Sequence, residues 1–309
     1  MSFVRFMAPK LLGAAITLLI ALSLAFFLAR AAGDPARNIL GEFATEEQVL
    51  AKQIELGLDK PLPVQFVNYL GQLGSFDLGK SLRYSRPNWE LIVGRFPSSI
   101  QLTVVAMLIA TIVGLPLGVL AALKEGRIWD RVSVFVALFG QSIPLFWLGL
   151  MFILLFAVAW GWLPAGQSGT WQHLVLPAVT LSVLPMARIA RLARSSLSEV
   201  LEETYITSAR ARGLRERTVV ITHALRNAAL PVVTIMGLQA GTLLSGAVTV
   251  EFVFAWPGLG TLATQAVQFR DFSLVQAIVI VGAVSFVLIN LTVDLLYGII
   301  DPRIREQGS

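Results

Sequence analysis

A chain of 309 residues that is 56% hydrophobic and 14% charged, with a mean hydropathy of +0.74, has too few polar side chains to coat a soluble globule of its size. It reads as a membrane protein. The lack of cysteine excludes disulfide frameworks, thiolate metal sites and cysteine nucleophiles, and most of the net charge of +5 sits beside apolar spans, where Lys and Arg set topology, which argues against a nucleic-acid partner.

Residues 11–29 carry no charge and are long enough, at about 1.5 Å per residue, to cross a hydrocarbon core of about 30 Å. Arg5 and Lys10 before this run and Ala29-Arg30-Ala31 behind it imitate a cleavable signal, but the run exceeds a signal's apolar region and further spans follow. Residues 1–30 are therefore expected to be a cytoplasmic N-terminus and a first transmembrane helix. The polar stretch that follows, residues 31–97, is expected to form a small extracytoplasmic cap, with an amphipathic helix over 46–58 and breaks at Pro61, Pro63 and Pro87.

Within that cap, Gly74-Ser75-Phe76-Asp77-Leu78-Gly79-Lys80-Ser81 fits the nucleotide P-loop pattern letter for letter. Its context rejects the match. A phosphate cradle needs a strand before the glycines and a helix after them, so that backbone N–H groups converge on the phosphates. Here residues 65–73 read as helical, and Leu82-Arg83-Tyr84-Ser85-Arg86-Pro87 cannot sustain a helix.

Residues 98–300 form the expected transmembrane core, with further spans at 100–123, 132–160, 174–189, 230–254 and 276–300, and residues 301–309 a cytoplasmic tail. Pro116, Pro144, Pro177 and Pro185 fall inside these spans and read as packing kinks. Lys124, Arg127 and Arg131 follow the second span; Arg188, Arg191, Arg194, Arg210, Arg212, Arg215, Arg217 and Arg226 follow the fourth. The opposite loops are almost free of positive charge, 161–173 having none and 255–275 only Arg270. The basic loops, and with them both termini, are expected on the cytoplasmic side of a bacterial inner membrane.

The longest basic passage is residues 202–231, in a cytoplasmic loop spanning 195–229. Ser208-Ala209-Arg210-Ala211-Arg212-Gly213 reads as a short helix stopped by a glycine suited to the left-handed position after a helix end, with a second helical run before Leu230-Pro231 opens the next span. Ala209 and Gly213, four apart, are expected on one face, where small side chains would let a partner groove approach, with Arg210 and Arg212 left to pair with acidic groups on its rim. Near membrane depth, Glu251 and Asp294 are candidates for function or for structural hydrogen bonding. Trp256-Pro257-Gly258-Leu259-Gly260 predicts a fixed, non-helical external turn, which either lines the entrance and touches an external partner or only connects the last two spans. His173 and His223, the only histidines, fall on opposite sides of the membrane and cannot share a metal; no catalytic constellation and no cofactor site emerge.

Tyr205-x-x-Ser208-Ala209-Arg210-Ala211-Arg212-Gly213-Leu214, followed by His223-Ala224-Leu225-Arg226-Asn227-Ala228-x-Leu230-Pro231, resembles the cytoplasmic loop of permease subunits of ABC importers, in the dipeptide, oligopeptide and nickel branch and the position of its first permease. Gly33-Asp34-Pro35, Leu56-Gly57-Leu58-Asp59-Lys60-Pro61, Asp77-Leu78-Gly79-x-Ser81, Val250-Glu251-x-Val253-Phe254-x-Trp256-Pro257-Gly258-Leu259-Gly260 and Asn290-Leu291-x-Val293-Asp294-Leu295-x-Tyr297 with Asp301-Pro302-Arg303 extend the resemblance over nearly the whole chain. Trp162-Leu163-Pro164 and Trp171-Gln172-His173 are similar to glutathione-importing members. One departure is Thr207, six positions before Gly213, where the broader family has an acidic residue.

The resemblance implies an all-α membrane protein with six transmembrane helices, the type I ABC importer permease fold and a cap between the first two helices. It implies a subunit that passes peptide-like solutes inward by alternating access and does not itself hydrolyse ATP. Its partners would be a second, similar permease, two ATPase subunits docked on residues 208–213, and an extracytoplasmic solute-binding protein. The competing readings are a stand-alone, proton-coupled secondary transporter using Asp294 or Glu251, and an enzyme built on the P-loop look-alike.

Overall fold

The computed structural model describes residues 3–31, 33, 35–41 and 44–300. Their regular structure is helical, in the order α1 (Phe3–Ala31), α2 (Pro35–Leu40), α3 (Glu46–Glu55), α4 (Leu62–Gly74), α5 (Asn88–Leu123), α6 (Ile128–Ser142), α7 (Leu145–Phe152) with a π-helical continuation (Ile153–Ala159), α8 (Trp171–Leu201), α9 (Thr204–Ala211), α10 (Glu216–Thr218) with a π-helical stretch (Val219–Ala224), α11 (Leu225–Gly246), α12 (Val248–Val253), α13 (Leu259–Gln268) and α14 (Phe272–Ile300). Five helices are long and apolar enough to cross a membrane, and a bent pair makes a sixth span if taken as one. That matches the all-α, six-span expectation.

Four spans differ from their expected form: the second begins at Asn88, inside the stretch expected to be cap, and the third, fourth and fifth differ as follows. The third, expected to run unbroken over 132–160, is α6 and α7 with its continuation, bent by 104°. The cause is local: a residue before proline is pushed out of the α region, so Ile143 is extended (φ −90°, ψ 128°), α6 stops at Ser142, and Pro144 precedes a new helix. The fourth span does not end at Ile189; α8 continues to Leu201 with Pro177 and Pro185 inside it. The fifth is entered earlier than Leu230, since helix runs from Glu216 through the π-helical stretch, and Pro231 lies inside α11.

The chain divides into two compact units. One comprises residues 1–99, 257–291 and 302–309. Here Phe26, fully buried, meets Phe66 edge-on with ring centroids 5.1 Å apart, and the Arg30 guanidinium lies 3.5 Å above its ring centroid. Arg30 also donates to Gln65 Oε1 through Nε (2.9 Å) and Nη2 (2.8 Å), and Gln65 Nε2 donates to the carbonyls of Leu58 and Lys60, so the end of α1 is fastened to α4 and the turn before it. Thr45 and Gln48 cap α3 reciprocally, which sets its start at Glu46.

The second unit, residues 100–256 and 292–301, is built around α8. Ala187, Ala190 and Ala193 are buried there, and glycines of α5 and α6 meet them: a Cβ on Gly114 would stand 2.8 Å from the Met186 carbonyl oxygen, one on Gly118 2.8 Å from Ala193 Cβ, and one on Gly140 3.0 Å from Ala187 Cβ. Between membrane helices dispersion and close backbone approach replace the hydrophobic effect, and small residues provide that approach.

Candidate functional site

The basic loop is an ordered protrusion. Glu203, extended at φ −63° and ψ 144°, starts α9, and Ile206 and Ala209, three apart, turn its apolar side onto Leu197, Val219, Ala224 and Ala228. Asn227 Nδ2 donates to Tyr205 Oη at 2.6 Å, a second tie between α9 and α11. The helix ends as its sequence predicts. Gly213 has φ +79°, its N–H reaches the Arg210 carbonyl (2.9 Å), and the Leu214 N–H reaches that of Ala209 (3.4 Å), the paired bonds of a left-handed helix stop. No atom lies within 4 Å of a Cβ built on Gly213, so its backbone conformation, and not crowding by this chain, calls for glycine.

The face expected to be shared by Ala209 and Gly213 is not one face. Ala209 is only 9% exposed and packs inward: so short a helix is held by tertiary packing, and Ile206 and Ala209 are the two residues it buries. Ser208, Arg210, Ala211, Arg212 and Gly213 are exposed. Arg210 is engaged within the chain: Nη2 lies 2.8 Å from Glu216 Oε1 and Nε 3.2 Å from Oε2. That hydrogen-bonded carboxylate raises the Arg210 pKa above its ordinary value. Arg212 makes no ion pair among the described residues.

The external-turn candidates lie deeper than their sequence indicates. Glu251 is 1% exposed and Trp256 3% exposed, Gly258 is buried and Pro257 half-buried. The Trp256 N–H donates to the Glu251 carbonyl (2.8 Å), and Trp256 belongs to a core with Leu176, Leu181, Leu243 and Phe254. The Gln167 N–H donates to the Phe254 carbonyl (2.7 Å), and Gly166 lies so close to that carbonyl that a Cβ would collide with it. The turn is non-helical as expected as far as Gly258, with Ala255 at φ +49°, whereas Leu259 and Gly260, expected within it, open α13; its aromatic residue is a packing element. The side chain of Asp294 lies outside those described.

The P-loop look-alike lacks the parts a phosphate cradle needs. It follows helix α4, Lys80 is exposed and pairs only as an isolated bridge with Pro87, and the buried Ser81 donates through Oγ to Asp271 Oδ2 at 2.5 Å. Asp271, fully buried, also accepts from the N–H groups of Arg83 and Leu274, both at 3.2 Å, and so caps α14 while clamping this hairpin. Sequence reasoning missed it, although an Asp just before an apolar helical run is a recognised start signal. His173 likewise has a structural role at a helix start: its Nδ1 accepts from the Thr170 N–H at 3.2 Å.

A second residue missed is Arg188. By sequence it is counted with the basic residues that follow the fourth span, although that span is expected to end one residue later, and it lies within α8. Its Nη1 donates to Oε1 of the buried Gln239 on α11 at 2.7 Å. By contrast Arg194, nearer the end of α8, has carboxylate neighbours: its Nε lies 2.6 Å from Asp130 Oδ1 and its Nη2 3.7 Å from Glu125 Oε1.

Five long apolar helices and a bent apolar pair, a glycine-mediated core around α8 and a basic helical loop between α8 and α11 define a multi-pass helical permease. A model of the binding-protein-dependent transport system inner membrane component family matches residues 114–306, and that of the corresponding N-terminal region matches residues 3–103. The chain belongs to this family. It is 43% identical over 307 residues to the dipeptide transport system permease protein DppB of Escherichia coli K12, covering 89% of this chain and 91% of that one. It is 41% identical to the di/tripeptide permease DppB of Pseudomonas aeruginosa (89% and 90% covered) and 43% identical to the glutathione permease GsiC of Salmonella typhimurium (97% and 99% covered). In structure it resembles the inward-facing MetNI methionine ABC transporter, with a TM-score of 0.55 at 22% identity over 69% of this chain and 97% of that one. The fold is that of type I importer permeases, and the family places the chain among membrane components of ATP-driven importers, whose ATP is hydrolysed by separate subunits, and not among proton-coupled secondary transporters.

Proposed function

We propose that this chain is one of two permease subunits of an importer for short peptides, which it passes inward by alternating access. The observation that carries the reading is near-full-length identity of 41–43% to relatives named for dipeptides, di- and tripeptides and glutathione, cargoes that share a short backbone with free carboxylates. The partners are a second permease, two ATPase subunits and an extracytoplasmic solute-binding protein, in an inner membrane with both termini of this chain in the cytoplasm.

The ATPase contact is the exposed side of α9: Ser208, Arg210, Ala211, Arg212 and Gly213. Ala209 supports it from behind, Arg210 stiffens it through Glu216, and Arg212 is the cation left for an acidic rim. The open space beside Gly213 supports a close approach there. Glu251 and Trp256 hold the region after α11 in shape, with Pro257 as the partly exposed residue of that turn.

The test is uptake by proteoliposomes holding this chain, its partner permease, the ATPases and the binding protein. Labelled dipeptides or glutathione should accumulate only with ATP and the binding protein. Uptake driven by a proton gradient without ATP would refute the reading.

A further inference from the structure

We infer that the turn between α5 and α6 binds anionic phospholipid, whose phosphate meets Lys124, Arg127 and Arg131 while its acyl chains lie along Ile128, Trp129 and Phe135.

The first observation is how the charges of this turn are divided. Residues 124–131 carry three cations and two carboxylates. Both carboxylates are drawn toward α8, where Arg194 lies 2.6 Å from Asp130 Oδ1 through Nε and 3.7 Å from Glu125 Oε1 through Nη2. Asp130 is engaged a second time, since its Oδ2 accepts from the Gly126 N–H at 3.0 Å. Lys124, Arg127 and Arg131 are exposed, and among the described residues their side chains make no ion pair or hydrogen bond. The backbone gathers them: the Arg127 N–H donates to the Lys124 carbonyl (3.0 Å) and the Arg131 N–H to that of Arg127 (3.2 Å). Like charges three and four residues apart repel, and the acids that could relieve them are held by Arg194. Basic residues orient a span almost regardless of nearby acids. Drawing the acids off adds something that orientation does not need, a turn left free to take an anion.

The second observation is the surface beside the cations. The charge-free runs 96–123 and 132–160 both end at this turn. Ile128 and Phe135, 64% and 63% exposed, lie on one side of α6, and Arg131 stands on that side between them, about 6 Å along the axis from Phe135. Trp129 is exposed next to Ile128. Cations at the end of an exposed apolar stripe match a headgroup above its own acyl chains, with a Trp ring where such rings gather at membrane surfaces. An acidic rim on an ATPase would satisfy the cations and leave the stripe bare. A phospholipid covers both, and basic residues beside a span attract the anionic kind.

The experiment uses the absence of cysteine from this chain. A bimane is attached at Leu138→Cys, an exposed position three residues beyond Phe135 on the same side, in a complex whose other subunits are cysteine-free. The complex is placed in phosphatidylcholine vesicles in which brominated-chain phosphatidylglycerol or brominated-chain phosphatidylcholine replaces a rising share of the lipid. The quantity read is the preference for phosphatidylglycerol in quenching the label. The parent should show a clear preference. Arg131→Gln should lower it about fivefold, and Lys124→Gln/Arg127→Gln/Arg131→Gln should abolish it. Arg215→Gln/Arg217→Gln, which removes two exposed cations of the central loop, should leave it unchanged. Glu125→Gln removes an exposed carboxylate from the turn, so it should raise the preference, and it decides the matter if the triple variant fails to assemble. Equal quenching by the two lipids in the parent would overturn the proposal, as would a preference kept by the triple variant, lost equally in the central-loop control, or not raised by Glu125→Gln. Absence of quenching by either lipid, the sign that a protein subunit covers the stripe, would overturn it too.

Discussion

Ala209→Glu and Ala211→Glu put the same side chain two positions apart on α9, one facing the chain's own core and one facing outward. At Ala209 the new carboxylate enters a cluster of Leu197, Ile206, Val219, Ala224 and Ala228. Overpacking there costs about 1–3 kcal/mol, and the unpaired charge adds to it. Each 1.4 kcal/mol is about tenfold in the opening equilibrium, so amide exchange across Thr204–Ala211 should rise by about ten- to a hundredfold in the purified chain without partners. At the exposed Ala211 only helix propensity is at stake, well under about 1 kcal/mol, and exchange should stay within about threefold of the parent. Ala211→Glu should nonetheless reduce co-purification of the ATPase subunits, because it places a negative charge on the proposed contact face. Unchanged exchange in Ala209→Glu, or equal exchange in the two variants, would refute the assignment of inward and outward faces.

Two further outcomes follow from the other unit. Asp271→Ala orphans the Ser81 hydroxyl and the N–H groups of Arg83 and Leu274, at about 1–3 kcal/mol for a buried donor left unpaired. Thermal-shift measurements should show clear destabilisation, while Lys80→Ala at the exposed lysine of the same hairpin leaves both the midpoint and ATP hydrolysis by the complex unchanged; equal midpoints for the two variants would contradict the clamp. Cysteines at Lys80 and Ser208, both exposed, should label from opposite sides of the membrane, whereas Ser81, the more obvious choice from sequence, is buried and unsuited to labelling. Labelling of both from one side would overturn the orientation.

What the sequence discloses depends on how local the determinant is. The stop at Gly213 is legible because the left-handed glycine and its two hydrogen bonds involve only neighbouring residues. The inward turn of Ala209 was within reach too: Ile206 three residues earlier marks the same side of the helix, but the attraction of two small residues four apart outweighed it. Trp256 is different. An aromatic beside Pro257 and Gly258 reads as exposed turn chemistry, and nothing nearby announces that it shares a buried core with Leu176 and Leu181 of the distant α8. The Ser81–Asp271 bond spans 190 residues and has no sequence pattern of its own.

Helix boundaries carry the largest functional consequence. An apolar window ends a span where charge begins, yet backbone hydrogen bonds continue through charged residues, so α8 runs on past Ile189 to Leu201. Both boundaries keep Arg188 inside the helix, at the end of the charge-free run 174–187. Its described partner is the neutral Gln239 on α11. The prolines make the same point in reverse: Pro177 and Pro185 sit inside one continuous helix while Pro144 separates two, although all three read alike as kinks. The topology argument does not hang on Arg188, since Arg191, Arg194 and the arginines from Arg210 onward remain in the count without it. A count of charges tolerates a boundary misplaced by a few residues; the assignment of a single charge to water or to the membrane interior does not.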